Sequence, residues 1–314
     1  DVQLMFQNKS LGCYHTFLSK YEKDYHIHFS TLEEKYLQFI SSKLSSGKRV
    51  EELEAIKLII KKRTNLLTHL KETLNSDYKI ELPDVGIETI SNILSQNFMT
   101  GSSKKTFEKA VFLDENFESS PQFLKLLNNE DFKNQVMEVV EYAIDKNKKE
   151  YSNRYKNTDF CLYSKYTYED VCRLLNWEKN IVPLNIGGYF YDIRTNTLPV
   201  FINYDKAENA IAYEDRFVTQ AHLIALSKHP RKIDSSDADH FFKRTDEDKD
   251  NKILLFIRKN KDDKEAKEFY FLGEIYAQGE PIPIKMEKTG DDAFEINYKL
   301  DVPVREDIYE YIVS

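Results

Sequence analysis

Gly187-Gly188-Tyr189-Phe190-Tyr191-Asp192, a turn at Asn196-Thr197, then Leu198-Pro199-Val200-Phe201-Ile202-Asn203-Tyr204: this stretch decides the fold of the second half. Aromatic and β-branched runs on either side of turn formers are the signature of a β-hairpin. Downstream, residues 252–258 and 268–275 make a second pair across the charged loop 259–267, and residues 296–302 supply a further strand. Short strands at this spacing predict a small barrel or curled sheet. Residues 219–227 read as a helix interrupting it, and Tyr168 to Leu175 as a short helix ended near Trp177. No β-α-β alternation runs long enough for a Rossmann sheet.

Upstream the period changes from two to about 3.6. Ser30-Thr31-Leu32-Glu33 is a capping box, and Tyr36, Phe39, Ile40 and Leu44 follow at helical spacing, with Gly47 as a stop. Val50, Leu53, Ile56, Ile59 and Ile60 mark the next helix, acidic early and basic late as the helix dipole favours. Leu66, Leu67, Leu70 and Leu74 continue the pattern, and Pro83-Asp84 opens another helix. Residues 107–112, 123–127 and 132–144 complete a bundle of six or seven helices. The last drifts into Lys146-Asn147-Lys148-Lys149-Glu150, a solvated run that makes a natural boundary. The expected fold class is therefore α+β, an all-α bundle over 1–158 followed by a β-rich domain over 159–314.

Composition agrees with two domains. The chain has 314 residues, of which 41% are hydrophobic and 31% charged, enough apolar material for real cores. No apolar run approaches the ~20 residues that span a bilayer. Cys13, Cys161 and Cys172 are scattered, which excludes a C-x-x-C zinc site or a disulfide framework and points to a reducing cytoplasm. No signal peptide opens the chain, and Asp1 in place of Met reads as a fragment or processed product. A net charge of −8 argues against a generic nucleic-acid coat but leaves room for a local basic face.

Catalytic motifs are missing. There is no phosphate-binding G-x-x-x-x-G-K-[ST], no G-x-G-x-x-G and no G-x-S-x-G. His69-Leu70-Lys71 with Asp77 is one residue too long for the H-x-K-x4-D motif of phospholipase-D-type nucleases and lies on an amphipathic helix. Asp262-Asp263-Lys264 resembles a nuclease tail but sits in a charged loop, whereas metal-assisted hydrolysis needs carboxylates held rigidly together. His26-Ile27-His28 reads as surface or packing. No metal site and no cofactor are expected for this chain alone, and no catalysis.

Two features remain. Aromatics crowd the second half, mostly as core, with two or three able to line a pocket for a flat ligand. The second is Tyr213-Glu214-Asp215-Arg216-Phe217, followed by Ser227-Lys228-His229-Pro230-Arg231-Lys232. A carboxylate beside an aromatic can accept a base's exocyclic amine, and the basic stretch can hold phosphates. An alternative for residues 213–217 is a structural turn with an internal Asp–Arg pair. The candidate base-binding set is Tyr213, Asp215, Tyr189, Tyr204, Phe217 and Glu214. The candidate phosphate set is Ser227, Lys228, His229, Arg231 and Lys232.

These residues carry a resemblance. The stretch from Tyr166 to Glu178, with Asn185-Ile-Gly-Gly-Tyr-Phe190, Leu198-Pro-Val-Phe-Ile202, Tyr213-Glu-Asp-Arg-Phe217 and Phe269-Tyr-Phe-Leu-Gly-Glu274, resembles the end of SauUSI-type ATP-dependent type IV restriction enzymes. The resemblance runs from about Tyr163 onward and is weaker over residues 1–155. In that family a phospholipase-D-like nuclease and a superfamily 2 helicase motor precede this region, so ATP and Mg2+ would belong to the motor, absent here. The resemblance implies a helical coupler over 1–158 and, over 159–314, an SRA/PUA-like curled β-barrel. That barrel would read 5-methylcytosine or 5-hydroxymethylcytosine in double-stranded DNA by flipping the base into an aromatic pocket. Relatives place an aromatic just before the serine of the basic stretch, whereas Ala225-Leu226 precede Ser227 here. Expected partners are modified DNA and the nuclease and helicase domains of the same polypeptide, with no membrane. A scaffolding region of a helicase and an RNA-modification reader stay open as alternatives.

Overall fold

The computed structural model describes residues 12–204, 215–259, 267–287 and 289–314. It divides into two compact units, Asp1–Asp159 with Asn176–Asn180, and Phe160–Leu175 with Ile181–Ser314. The fold is mixed α+β, with helices in the first unit and a mixed sheet in the second.

The described helices of the first unit are α1 (Tyr14–Tyr21), α2 (Thr31–Phe39), α3 (Glu51–Ile60), α4 (Leu66–Tyr78), α5 (Asp84–Leu94), α6 (Gly101–Phe107), α7 (Pro121–Leu126) and α8 (Glu130–Glu150). The capping box forms: Ser30 Oγ accepts the Glu33 N–H at 3.3 Å, and Glu33 Oε2 accepts the Ser30 N–H at 2.8 Å. One π-helical turn, Ile40–Leu44, extends α2. Tyr36 stacks on Phe123 at 5.0 Å and meets Phe112 and Phe132 edge-on, which anchors α2, α7 and α8 in one core. Gly47 lets the backbone approach α8: with φ +70, an added Cβ would stand 2.6 Å from the Ala143 carbonyl oxygen. Asn147 donates to the Gly47 carbonyl at 2.8 Å and is buried. The charged run 146–150 forms the last turn of α8, with Lys148, Lys149 and Glu150 exposed and Asn147 turned inward, and the first unit continues to Asp159.

The second unit comprises β1 (Lys165–Tyr166), α9 (Tyr168–Leu174), α10 (Pro183–Ile186), β2 (Thr197–Asn203), β3 (Arg216–Thr219), β4 (His222–Leu226), α11 (Ser236–Phe242), β5 (Lys252–Arg258), β6 (Phe269–Lys285), β7 (Asp292–Leu300) and α12 (Glu306–Val313). The sheet order is β2-β5-β6-β7-β4-β3, with β1 on β6. All named pairs are antiparallel except β2 with β5, which are parallel from Thr197↔Lys252 to Asn203↔Arg258. Central strands buried on both faces read as continuous apolar runs, as Ile253 to Ile257 do. On one face Val200, Ile202, Ile253, Leu255 and Ile257 join the main core with Tyr298 and Phe241. On the other, Phe201 stacks on Phe256 at 5.2 Å, beside Tyr168, Phe269, Phe160 and Phe271. Full burial of each such side chain contributes roughly 1.5–3 kcal/mol.

The β6 strand bends the sheet. Its first part serves β1 and β5 and its later part serves β7, with register shifts opposite Leu255/Phe256 and between Gln278 and Ile282. Gly273 (φ +93) and Gly279 (φ +69) supply the left-handed conformations at these irregularities.

The expected barrel does not form: the sheet is open. Its end strands β2 and β3 share no ladder among the described residues. Instead, Gly188 to Asp192 lies beside β2, through bridges Tyr189↔Val200 and Asp192↔Thr197 and a Phe201 N–H donating to the Gly188 carbonyl at 2.7 Å. That is the hairpin predicted at residues 187–204, reduced to isolated bridges on its first arm, and it occupies the edge that closure would need. The helix expected at 219–227 is instead the β3–β4 hairpin. Leu223 and Ala225 are buried while His222 is exposed, a period of two that its short apolar run hides. Among the described residues no helix is long and apolar enough to cross a membrane.

Candidate functional site

A cleft of about 380 Å3 opens at the seam where the sheet fails to close. Its walls come from the end of β2 (Val200, Phe201, Ile202, Asn203) with Tyr204, from Gly188-Tyr189 beside that strand, and from the end of β4 with Ser227, Lys228 and His229. Asp215 and Met286 complete the lining. Mostly preformed clefts of ~300–1,000 Å3 with a few converging polar groups are the usual form of small-ligand sites.

Asp215, at the foot of β3, accepts the Leu226 N–H at 2.9 Å on Oδ1, which fixes the carboxylate at the cleft. The guanidinium of the neighbouring Arg216 reaches Glu295 on β7 at 3.1 Å. Tyr204 Oη accepts the Phe217 N–H at 3.0 Å, so a side chain spans the seam where a backbone ladder would have run. Burial raises the pKa of Tyr204, which keeps its hydroxyl protonated.

Tyr189 is held on every side. Its hydroxyl donates to Asp237 on α11 and accepts the Lys228 N–H at 3.1 Å. Phe241 packs edge-on at 4.8 Å, and Lys228 Nζ lies 4.6 Å from the ring centroid, a cation–π distance. Burial, reinforced by Asp237, pushes the Tyr189 hydroxyl well above the usual tyrosine range. Burial also lowers the pKa of Lys228, partly offset by Asp237. Gly187 (φ +59) makes room for this lysine, since a Cβ there would stand 3.2 Å from Lys228 Cε.

Six of the sequence candidates thus line one cleft: Tyr189, Tyr204, Asp215, Ser227, Lys228 and His229. Phe217 stands behind Tyr204 at 5.6 Å between ring centroids, packed against the core. Tyr213 and Glu214 lie outside the described residues, as do Asp262, Asp263 and Lys264. Within the basic stretch, acids stand close by. His229 Nδ1 is 3.2 Å from Asp291, Arg231 Nε donates to Asp237 at 2.9 Å, and Lys232 helps hold Asp292 below the usual carboxylate range, behind the larger effect of Lys285. Ser227 bonds within the sheet, its N–H donating to the Phe294 carbonyl at 2.9 Å and its Oγ accepting the Phe294 N–H at 3.0 Å.

Two polar contributors escaped sequence reasoning. Asn203 ends β2 on the cleft. Asp237 sits on α11, whose start was legible in Ser235-Ser236-Asp237, a capping residue with an acid in the first turn. Elsewhere, His69 lies on α4 beside Glu72 at 3.3 Å. Among the described residues no group of three His, Cys, Asp or Glu side chains could hold a metal ion.

Residues 160–312 match a family model described as a domain of unknown function (DUF3427), and residues 1–152 match another described as a domain of unknown function (DUF8090). No curated protein matches the chain.

Proposed function

We propose that the second unit is a modified-cytosine reader for double-stranded DNA, the target-recognition part of a type IV restriction enzyme, with the seam cleft as its base site. The observation that carries this reading is the convergence of Asp215, Tyr204 and Lys228 on one preformed space large enough for a nucleotide. A base in a duplex cannot reach a recessed cleft, so the target must be extruded, at a cost of a few kcal/mol of stacking and pairing. Aromatic contact returns ~1–3 kcal/mol per stacked base. Because Tyr189 already carries Lys228 on its ring, it serves as a fixed wall, and the stacking face falls to Tyr204 or to Tyr213. The Asp215 carboxylate accepts the cytosine N4 amine, which selects cytosine. Lys228, in the lining of the same cleft, meets the phosphate of the extruded nucleotide. The SRA-like assignment, the coupler role of the helical unit and the cytoplasmic setting are parts of this proposal. So is the lack of catalysis by this chain alone, with ATP and Mg2+ confined to a motor elsewhere in the polypeptide.

The test is binding to three duplexes identical except for C, 5-methyl-C or 5-hydroxymethyl-C at one position. A methyl group buried against the cleft contributes ~0.8 kcal/mol, about a fourfold preference. A fluorescent base analogue at that position should brighten as it leaves the stack. Equal weak binding to all three would support the scaffold reading, and a preference for the matching RNA would support the RNA-modification reader.

A further inference from the structure

Tyr189, in the cleft wall, and Arg231, beyond it, meet at one carboxylate outside the cleft, Asp237. Asp237 Oδ2 accepts the Tyr189 O–H and also the Arg231 Nε–H, the latter at 2.9 Å. Tyr189 Oη then accepts the Lys228 backbone N–H at 3.1 Å. The phenol has one proton, committed to Asp237, so its lone pairs face the lysine amide. One residue earlier the chain is held differently: the Ser227 N–H makes a sheet bond to Phe294 at 2.9 Å. At Lys228 the backbone is held by the Asp237–Tyr189 pair instead, and β7 takes it up again at Arg231, whose N–H donates to the Asp292 carbonyl at 2.8 Å. The same pair governs the lysine head, which rests over the Tyr189 ring at 4.6 Å. The side chains of Lys228 and Arg231 therefore both depend on one carboxylate on α11, Lys228 through Tyr189 and Arg231 by direct contact.

We infer that Asp237 is the positioning residue of the seam cleft, setting Lys228 through the Tyr189 hydroxyl and Arg231 by direct contact, for a ligand that presents an anionic group. The anionic ligand rests on the base-reader reading; the positioning role does not. A carboxylate here balances two cations that would otherwise repel each other, and it turns a phenol into an acceptor for a backbone N–H with no strand partner.

The experiment uses the whole chain, with Asp237→Ala, Asp237→Asn and Tyr189→Phe, and reads amide hydrogen exchange resolved at Ser227 and Lys228. Asp237→Ala should speed exchange at Lys228 at least tenfold and leave Ser227 unchanged. Asp237→Asn keeps an oxygen that accepts the Tyr189 O–H and should restore most of the protection. Tyr189→Phe, with Asp237 intact, should expose the Lys228 amide as Asp237→Ala does. In parallel, affinity for the 5-methyl-C duplex should fall about fivefold in Asp237→Ala and stay within twofold in Asp237→Asn. Unchanged Lys228 exchange in Asp237→Ala or in Tyr189→Phe would overturn the inference, as would equal acceleration at Ser227, the mark of general loosening. If the unaltered chain binds the three duplexes equally, the base-reader reading fails, and the exchange data still decide the role of Asp237.

Discussion

The helical unit and the sheet unit both gather charged side chains, to opposite ends. In the first, Arg49 and Glu52 are buried, with the Arg49 Nε and NH2 donating to Glu52 at 2.7–3.1 Å. Arg49 also reaches Asn176 at 2.8 Å, while Arg154 joins Asp159 at 2.6 Å and Glu51 at 3.1 Å. Burial drives the Glu51 pKa up and Asp159 adds to this, against the pull of Arg154 and Arg49. These charges face one another with no room between them. In the second unit, Asp215, Lys228 and His229 stand around open space of about 380 Å3. Charges that satisfy each other specify a structure, and charges that surround a void meet whatever enters it. Residue type alone does not separate the two cases.

Breaking the closed cluster should have the largest effect. Arg49→Ala removes the guanidinium that donates to the buried Glu52, and removing one member of a buried pair typically costs about 3–5 kcal/mol. The single tryptophan, Trp177, lies buried in that unit and reports its denaturant unfolding. A loss under about 1 kcal/mol would mean that water reaches Glu52 and that the contrast with the cleft is false.

Asp248 tests whether the sheet unit also contains a closed polar group. It accepts from Thr245 Oγ1 at 2.6 Å and from Asn251 Nδ2 at 2.9 Å, and lies 2.6 Å from His240 Nδ1. Burial raises its pKa, but bonds from Thr245, His240 and Asn251 outweigh that and hold it below the usual carboxylate value. A depressed folded pKa means stability present above the unfolded value and lost as pH falls through the folded one. Asp248→Asn should cost about 1–3 kcal/mol at pH 7, as expected for hydrogen bonds to a charged group. The gap from the unaltered chain should shrink as pH falls below about 4, near the ordinary Asp pKa. A gap independent of pH would show that geometry, not charge, carries the effect.

Gly187→Ala probes the rim of the open site. The conformation of Gly187, φ +59 and ψ −132, costs a residue with a Cβ roughly 1–3 kcal/mol, and the new methyl would press on Lys228. Thermal melting should show the backbone cost, with a further drop in duplex affinity as the lysine is displaced. Unaltered affinity would place Lys228 outside the ligand's reach. The smallest effect concerns the cleft itself. Asp215→Ala should abolish the roughly fourfold preference for modified cytosine, worth ~0.8 kcal/mol, while far-UV circular dichroism stays the same. A preference that survives in the folded variant would move the base site elsewhere.

Local rules were legible wherever a few neighbouring residues settle the outcome. The Ser30–Glu33 box needs only four residues and forms as read. The β5–β6 pair follows from two apolar runs and the charged loop between them. The parallel β2–β5 pairing was not legible, because the unbroken run Ile253 to Ile257 is equally at home in a buried antiparallel strand. Residues 219–227 misled because His222-Leu-Ile-Ala-Leu226 is too short to distinguish periods of two and 3.6. Packing of Leu223 and Ala225 into the core decides for the strand.

By itself the sequence determined the two-part α+β character, the helical first half, most strands of the second and a candidate set that includes six of the cleft's lining residues. Those properties depend on periodicity and residue chemistry, which are carried along the chain. Only tertiary structure decided that the sheet stays open, that Gly188 to Asp192 occupies the edge needed for closure, and that the resulting seam is the cleft. The same holds for Asp237, 48 residues from Tyr189, whose position becomes informative only when α11 folds back against that tyrosine. Pairings between distant segments depend on which edges are left over after the cores have packed, and no local pattern in the chain encodes that remainder.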